Sequence, residues 1–214
     1  MKNLIGIILA TLYIVFVILT AKLVEKKGKE ASRKWIHIML CNIWFIYLAF
    51  IDNIIAASIL PAIFVVINTL SYKFNIIKLM ERENKKDGFG TIYYALSILV
   101  LSIATYYVKN QVLATTGLFI MGYGDGLAAI VGKSVKSKKF TVLGGEKSIA
   151  GSATMFIVSL IVSIISLFVL GTEMIIIKSV IIAIISTALE AVSIKGLDNI
   201  TVPLLITLLV ANII

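Results

Sequence analysis

An all-α, polytopic membrane helix bundle of about seven to eight transmembrane helices, the last one short, is the fold this sequence predicts. Three observations predict it. Of the 214 residues, 60% are apolar and 14% charged, with a mean hydropathy of +1.06, well outside the range of ordinary soluble domains. The apolar residues gather into runs close to the roughly 20 needed to cross a bilayer core about 30 Å thick. The breaks between runs carry basic residues on every second side, as the positive-inside rule requires. Little chain is left for a separate soluble domain, so residues 1–214 read as a single membrane-embedded domain in which function lives in the spans and short loops. Cys41, the one cysteine, cannot form an internal disulfide.

The first run, residues 4–21, follows Lys2 and superficially resembles a signal peptide. It is long enough to span, lacks a small-x-small cleavage site and carries its flanking charge after the run, so it reads as a first helix. The second, 35–51, is entered through "SRKWIHIM", where Arg33 and His37 lie four apart on one helix face. The third is 54–72. The fourth, 91–108, follows "KKDGFGTIYYALS": Gly88 and Gly90 break the chain ahead of Tyr93 and Tyr94, which read as aromatic-belt residues. The fifth, sixth and seventh are 111–131, 150–170 and 174–193. The last, about 200–214, reaches only some 21 Å at 1.5 Å per residue and reads as partial or re-entrant unless residues from Gly196 join it.

The loops after the first, third, fifth and seventh runs hold all the basic residues except Lys2, Lys109 and Lys178, that is 17 of 20. This puts those loops in the cytoplasm and the N-terminus outside, in a multi-pass protein of the cell membrane. Most of these lysines set topology and meet anionic headgroups of the bilayer, and no nucleic-acid partner is expected. The stretch Lys133–Lys147 differs, because its lysines flank glycines and a polar helix start, which suits a phosphate-rich ligand.

An ionised carboxylate inside a span costs about 2.5–3.5 kcal/mol by insertion scales, so Asp125, near the end of the fifth run in "MGYGDGLAAIVGKS", is a functional candidate. Gly122, Gly124 and Gly126 around it allow close approach of a chain or ligand. "GKS" at 132–134 is not a P-loop: five positions before Gly132 stands Leu127, Gly126 misses by one, and a span precedes it instead of a strand. In "GGEKSIAGS", Gly144 and Gly145 lead to Lys147 and to Ser148, a candidate N-cap of the sixth span, whose first amides lack partners and could bind an anion beside the lysine. Gly151 and Ser152 lie one turn on. In "LEAVSIKGLDNITVP", Glu190 sits inside the seventh run and Asp198 and Asn199 before the last. These oxygen donors share the membrane face of Asp125 and suit magnesium. Asp198 or Thr201 would also cap the last helix, with Pro203 in its first turn.

Four ordered stretches, "RKWIH", "DGFGTIYYAL", "GDGLAAIVGK" with "GEKSIAGS", and "EAVSIKGLDNITVP", resemble the CTP-dependent lipid-alcohol kinases. These are the dolichol kinase, phytol kinase and yeast-type diacylglycerol kinase family, distantly similar to phosphatidate cytidylyltransferases. The resemblance implies transfer of the terminal phosphate of CTP to the hydroxyl of a membrane lipid alcohol, a polyprenol, phytol-like isoprenoid or diacylglycerol, with Mg2+ as cofactor. It assigns CTP binding to the segment from Lys133 to Ser152, hence Lys133, Gly144, Gly145, Lys147, Ser148, Gly151 and Ser152. Lys147 and the helix start would hold the triphosphate, with Arg33, His37 and Asn199 as further donors to the nucleotide. Asp125, Asp198 and Glu190 would coordinate magnesium or take the hydroxyl proton, with Asp125 and Asp198 the first choices for the metal. Homo-oligomerisation is left open.

Two rivals remain. A CDP-lipid synthase uses similar parts, but after the lysine-serine element this chain continues with apolar "ATMFIVSLIV" instead of further acids. A small transporter or scaffold also buries acids and breaks helices with glycine, yet the two halves show no matching interruptions.

Overall fold

The computed structural model describes residues 1–74, 76 and 89–214. Among the basic loop residues counted above, Lys78, Arg82, Lys85 and Lys86 lie outside the described residues, as does Gly88. The chain packs as two compact units, Met1–Gln111 and Val112–Ile214.

In the first unit, helix α1 (Lys2–Val24) is an uninterrupted apolar stretch, and at 1.5 Å per residue its 23 residues reach about 34 Å, a full crossing. Its buried stripe, Gly6, Ala10, Ile14, Val17 and Ala21, steps by three or four residues and is mostly small, so neighbouring helices approach closely. The second expected span is divided: α2 (Lys29–Leu40) and α3 (Ile43–Phe50) are separated by a turn at Cys41 and Asn42. The two halves retrace α1. At one end Ser32 Oγ donates to the Ala21 carbonyl at 2.8 Å and Trp35 Nε1 to Thr20 Oγ1 at 3.0 Å. At the other, Asn3 Nδ2 donates to the Asp52 carboxylate at 2.5 Å, and the Asp52 amide to Asn3 Oδ1 at 2.9 Å. The break exposes the Met39 carbonyl, which accepts from the Tyr13 hydroxyl at 2.8 Å and from Asn42 Nδ2 at 3.0 Å, so the irregular backbone is satisfied within protein.

The Asn3 amide, helped by Asn53, holds the Asp52 carboxyl below its ordinary range. A depressed carboxyl favours the folded state above its unfolded pKa, and the benefit is lost as pH falls through the folded value. We expect a carboxyl carbon titration of Asp52 by NMR to give a midpoint below the usual aspartate range, and Asn3→Ala to return it there.

Helices α4 (Ile54–Phe74) and α5 (Gly90–Tyr107) complete this unit, joined where Asn68 Nδ2 donates to the Thr91 carbonyl at 3.0 Å. Tyr94, read from sequence as a belt residue, is instead buried: its ring meets that of His37 at 4.8 Å and its hydroxyl donates to the His37 carbonyl at 3.0 Å.

The second unit is built around one interior helix. It runs as α6 (Leu113–Phe119), a π turn (Ile120–Asp125) and α7 (Gly126–Ser134). Over the continuous apolar stretch Leu113–Ser134, 67% of the span window is buried, against 28% for the flanking α8 (Ile149–Val169) and α9 (Ile175–Val192), which therefore face lipid more. The final helix, α10 (Asp198–Ile213), is the short one expected. Ile120, Met155, Leu167, Ile182, Val202 and Ile206 form the fully buried core of the unit. Gly117 is what lets α10 pack on α6: a Cβ there would lie 2.4 Å from the Pro203 carbonyl oxygen. Between α7 and α8 comes a hairpin absent from the sequence reading, β1 (Lys139–Val142) and β2 (Gly145–Ser148), antiparallel with Phe140 opposite Lys147.

Among the described residues six helices are long and apolar enough to cross a membrane, and the protein is an all-α membrane bundle. The count falls below eight because the second run is broken into two shorter helices and the last has 16 residues.

Candidate active site

The second unit gathers the acids. Asp125 closes the π turn, a widening of the helix that recurs at functional sites. Glu190 stands in the last turn of α9 and Asp198 is the first residue of α10. The short link between those helices reverses through Lys195 (φ 54°) and Gly196 (φ 81°). The Ser193 hydroxyl bonds the Leu189 carbonyl at 2.7 Å and lies 3.3 Å from Thr201 Oγ1, tying the link to both helices. As a result one carboxylate oxygen from each of Asp125, Glu190 and Asp198 lies within 4.8 Å of the other two. Asp125 and Glu190 are buried and Asp198 is half-buried.

Lys147 reaches this group from the hairpin. Its ammonium donates to the Glu190 carboxylate and, at 2.7 Å, to the Glu190 carbonyl. The strand is aimed by a two-residue tip, Leu143 (φ 48°) and Gly144 (φ 82°), both left-handed as a hairpin twist demands. Gly145, two residues before Lys147 and on the same strand face, packs beside Ile194 in the α9–α10 link. Four charged residues separated by up to 73 positions thus come together; the sequence named all four.

The other candidates fall differently. Ser148 is the N-cap of α8, its Oγ accepting from the Gly151 amide at 3.1 Å. The amides expected to lack partners do not: Ile149 N–H donates to the Lys138 carbonyl at 3.0 Å and Ala150 N–H to Ser137 Oγ at 3.1 Å. The helix start therefore offers no ready anion cradle. Ser137 and Lys138, which the sequence reading passed over, supply those acceptors. Gly151 serves packing: a Cβ there would sit 3.0 Å from the Ala128 carbonyl oxygen, and one on Gly132 would sit 2.7 Å from Ser148 Oγ. Gly144 forms the hairpin tip, Lys133 is exposed in the last turn of α7, and Ser152 lies in the first turn of α8. The Asp198 cap is also corrected: α10 begins at Asp198 itself with Leu197 before it, and the Asp198 carboxylate accepts from the Asn199 amide at 3.0 Å. Thr201 instead donates to the Leu197 carbonyl. Asn199 is buried next to it. In the first unit, Arg33 is paired with both Glu30 oxygens, at 2.5 and 3.1 Å, and His37 rests edge-on against Tyr94.

Against known proteins, the chain is 32% identical over 209 residues to the phytol kinase of Synechocystis sp., covering 92% of this chain and 86% of that one. The chain belongs to the lipid-alcohol kinase family. Plant members are longer: phytol kinase 1, chloroplastic, of Arabidopsis thaliana is 28% identical over 197 residues, 82% of this chain and 64% of its own length. Farnesol kinase, chloroplastic, from the same plant is 30% identical over 148 residues, 62% and 47% respectively. No family model matches this lipid-alcohol kinase, and no solved structure does.

In this kinase the Ser148 cap fixes where α8 starts, directly after Lys147. Ser148→Ala is expected to cost about 1 kcal/mol by leaving the Gly151 amide without its acceptor. Thermal unfolding in detergent measures it.

Proposed function

We propose that the chain transfers the terminal phosphate of CTP to the hydroxyl of an isoprenoid alcohol, phytol or a close relative, at the cytoplasmic edge of the cell membrane. Family membership makes it a phosphotransferase with an alcohol acceptor. What supports metal-assisted phosphoryl transfer is the convergence of Asp125, Glu190 and Asp198 with Lys147 on one side of them, while CTP rests on the resemblance of the motifs and phytol on the relatives.

The donor set fits magnesium. All three side chains offer hard carboxylate oxygens, and oxygens on one octahedral Mg2+ stand about 3–4 Å apart, so a cluster spanning 4.8 Å needs to close by less than about 2 Å. When bound, the ion would neutralise charge developing on the transferring and leaving phosphates. Asp125, Glu190 and Asp198 would hold it.

Phosphoryl transfer needs little covalent help, so positioning and charge do most of the work. The alcohol oxygen forms the new bond to the terminal phosphorus as the bond to the β–γ bridging oxygen breaks, releasing CDP. The hydroxyl proton passes to one of the carboxylates of the cluster, Asp125 or Asp198. Lys147 meets the phosphates, and the exposed Lys133, Lys136, Lys138 and Lys139 raise the local concentration of an anionic donor. With its helix amides already bonded, phosphate binding falls to these side chains. The cytoplasmic orientation, with the N-terminus outside, follows from the sequence pattern, in which 17 of the 20 basic residues fall in alternate loops between the apolar runs.

The test is purified protein with terminally labelled CTP or ATP, Mg2+, and phytol, geranylgeraniol, a polyprenol or diacylglycerol. Labelled isoprenoid phosphate plus CDP is the expected result. Pyrophosphate and a CDP-lipid, from a lipid phosphate, would replace this reading with the synthase.

A further inference from the structure

We infer that Lys147 is the resident cation of the acidic cluster, standing in for a divalent ion until one is loaded and then carrying its ammonium to the phosphates of the donor. The inference rests on the metal-binding reading above and deepens it. The ammonium is held twice by one residue, at the carboxylate and at the carbonyl of Glu190. Both acceptors lie at the C-terminal end of α9, where the helix dipole adds negative charge. That same carboxylate is one of the three whose oxygens converge within 4.8 Å, so the ammonium and a divalent ion would share one carboxylate and repel each other across it.

Charge sets what the exchange achieves. Three carboxylates and one ammonium carry a formal charge of −2, and the ammonium supplies the positive charge there while no ion is bound. Once a divalent ion takes over that role, Lys147 is released to add its charge to the ion's in meeting an incoming triphosphate. Lys147 is also the partner with a way out: its side chain keeps 17% of its exposure against 8% for Glu190. Its flexible four-carbon stem lets the ammonium swing while the strand stays paired opposite Phe140.

The experiment is Mn2+ binding to the purified full chain in detergent without nucleotide, read by electron paramagnetic resonance. Lys147→Met is expected to bind Mn2+ about tenfold more tightly than the native chain. Lys147→Arg, which keeps the charge, should remain near native, and Asp125→Asn should lose the ion. Equal or weaker Mn2+ binding by Lys147→Met overturns the inference while the metal reading stands. Binding that does not depend on Asp125 overturns both. The native chain gives a second reading should Lys147→Met not fold: amine labelling of Lys147, followed by mass spectrometry against the exposed Lys139, should rise several-fold on adding Mn2+. Unchanged labelling overturns the inference.

Discussion

Asp125→Asn is expected to lower turnover of the isoprenoid alcohol by about 10³-fold or more while leaving the protein folded, with a melting temperature equal to or above that of the native chain. The amide matches the carboxylate in shape, so the π turn and its packing survive, but it cannot carry charge to an ion or accept a proton. The stability half of the prediction has its own logic. Asp125 is buried beside two other carboxylates, and like charges this close repel, so removing one relieves strain that only function requires. Kinetics and thermal unfolding on the same preparation decide it. A variant with more than a tenth of native turnover would remove Asp125 from the machinery. One that is inactive because it unfolds would make the residue structural.

Gly117→Ala should harm both stability and activity from a position holding no reactive group. The added methyl would lie 2.4 Å from the Pro203 carbonyl oxygen, 3.1 Å from its carbonyl carbon and 2.6 Å from Thr207 Oγ1. A threonine rotamer can give way, but the backbone of α10 cannot without moving the helix. Overpacking of this kind costs about 1–3 kcal/mol. Asp198 begins the helix that is pushed, and misplacing a reacting group by about 1 Å costs on the order of 10²-fold. We expect a lower melting temperature and a fall in kcat of that order. Adding Thr207→Ala should recover little, since the Pro203 contact remains. Full recovery would show that the side chain, not the helix backbone, sets the distance.

The apolar runs and the four charged residues were legible because both are extreme signals. A span is a long uninterrupted run, and an acid such as Asp125 or Glu190 stands out against it energetically. The turn at Cys41 and Asn42 was not, since no glycine or proline marks it and its stability comes from the distant Tyr13 hydroxyl. The hairpin had a signal in "KFTVLGGEKS", a β-prone run with a glycine-containing tip, which the surrounding lysines made look like plain loop. The amide partners of α8 were illegible for a different reason. Ser137 stands 13 residues from the amide it accepts from, and nothing in spacing announces such a bond. Tyr94 reads as interfacial by type, and only the packing of α5 against His37 reveals that it is interior.

In β2 the residue that meets the acids and the residue that starts α8 are consecutive, and the strand's pairing is set by a tip of only two residues. A strand alternates its faces, so slipping the register by one position would turn Glu146 toward Asp125, Glu190 and Asp198 in place of the ammonium, a fourth negative charge where the first positive one belongs. The short tip is thus a ruler, and lengthening or shortening either arm by a single residue should be far more damaging than changing the chemistry of the exposed side chains along it.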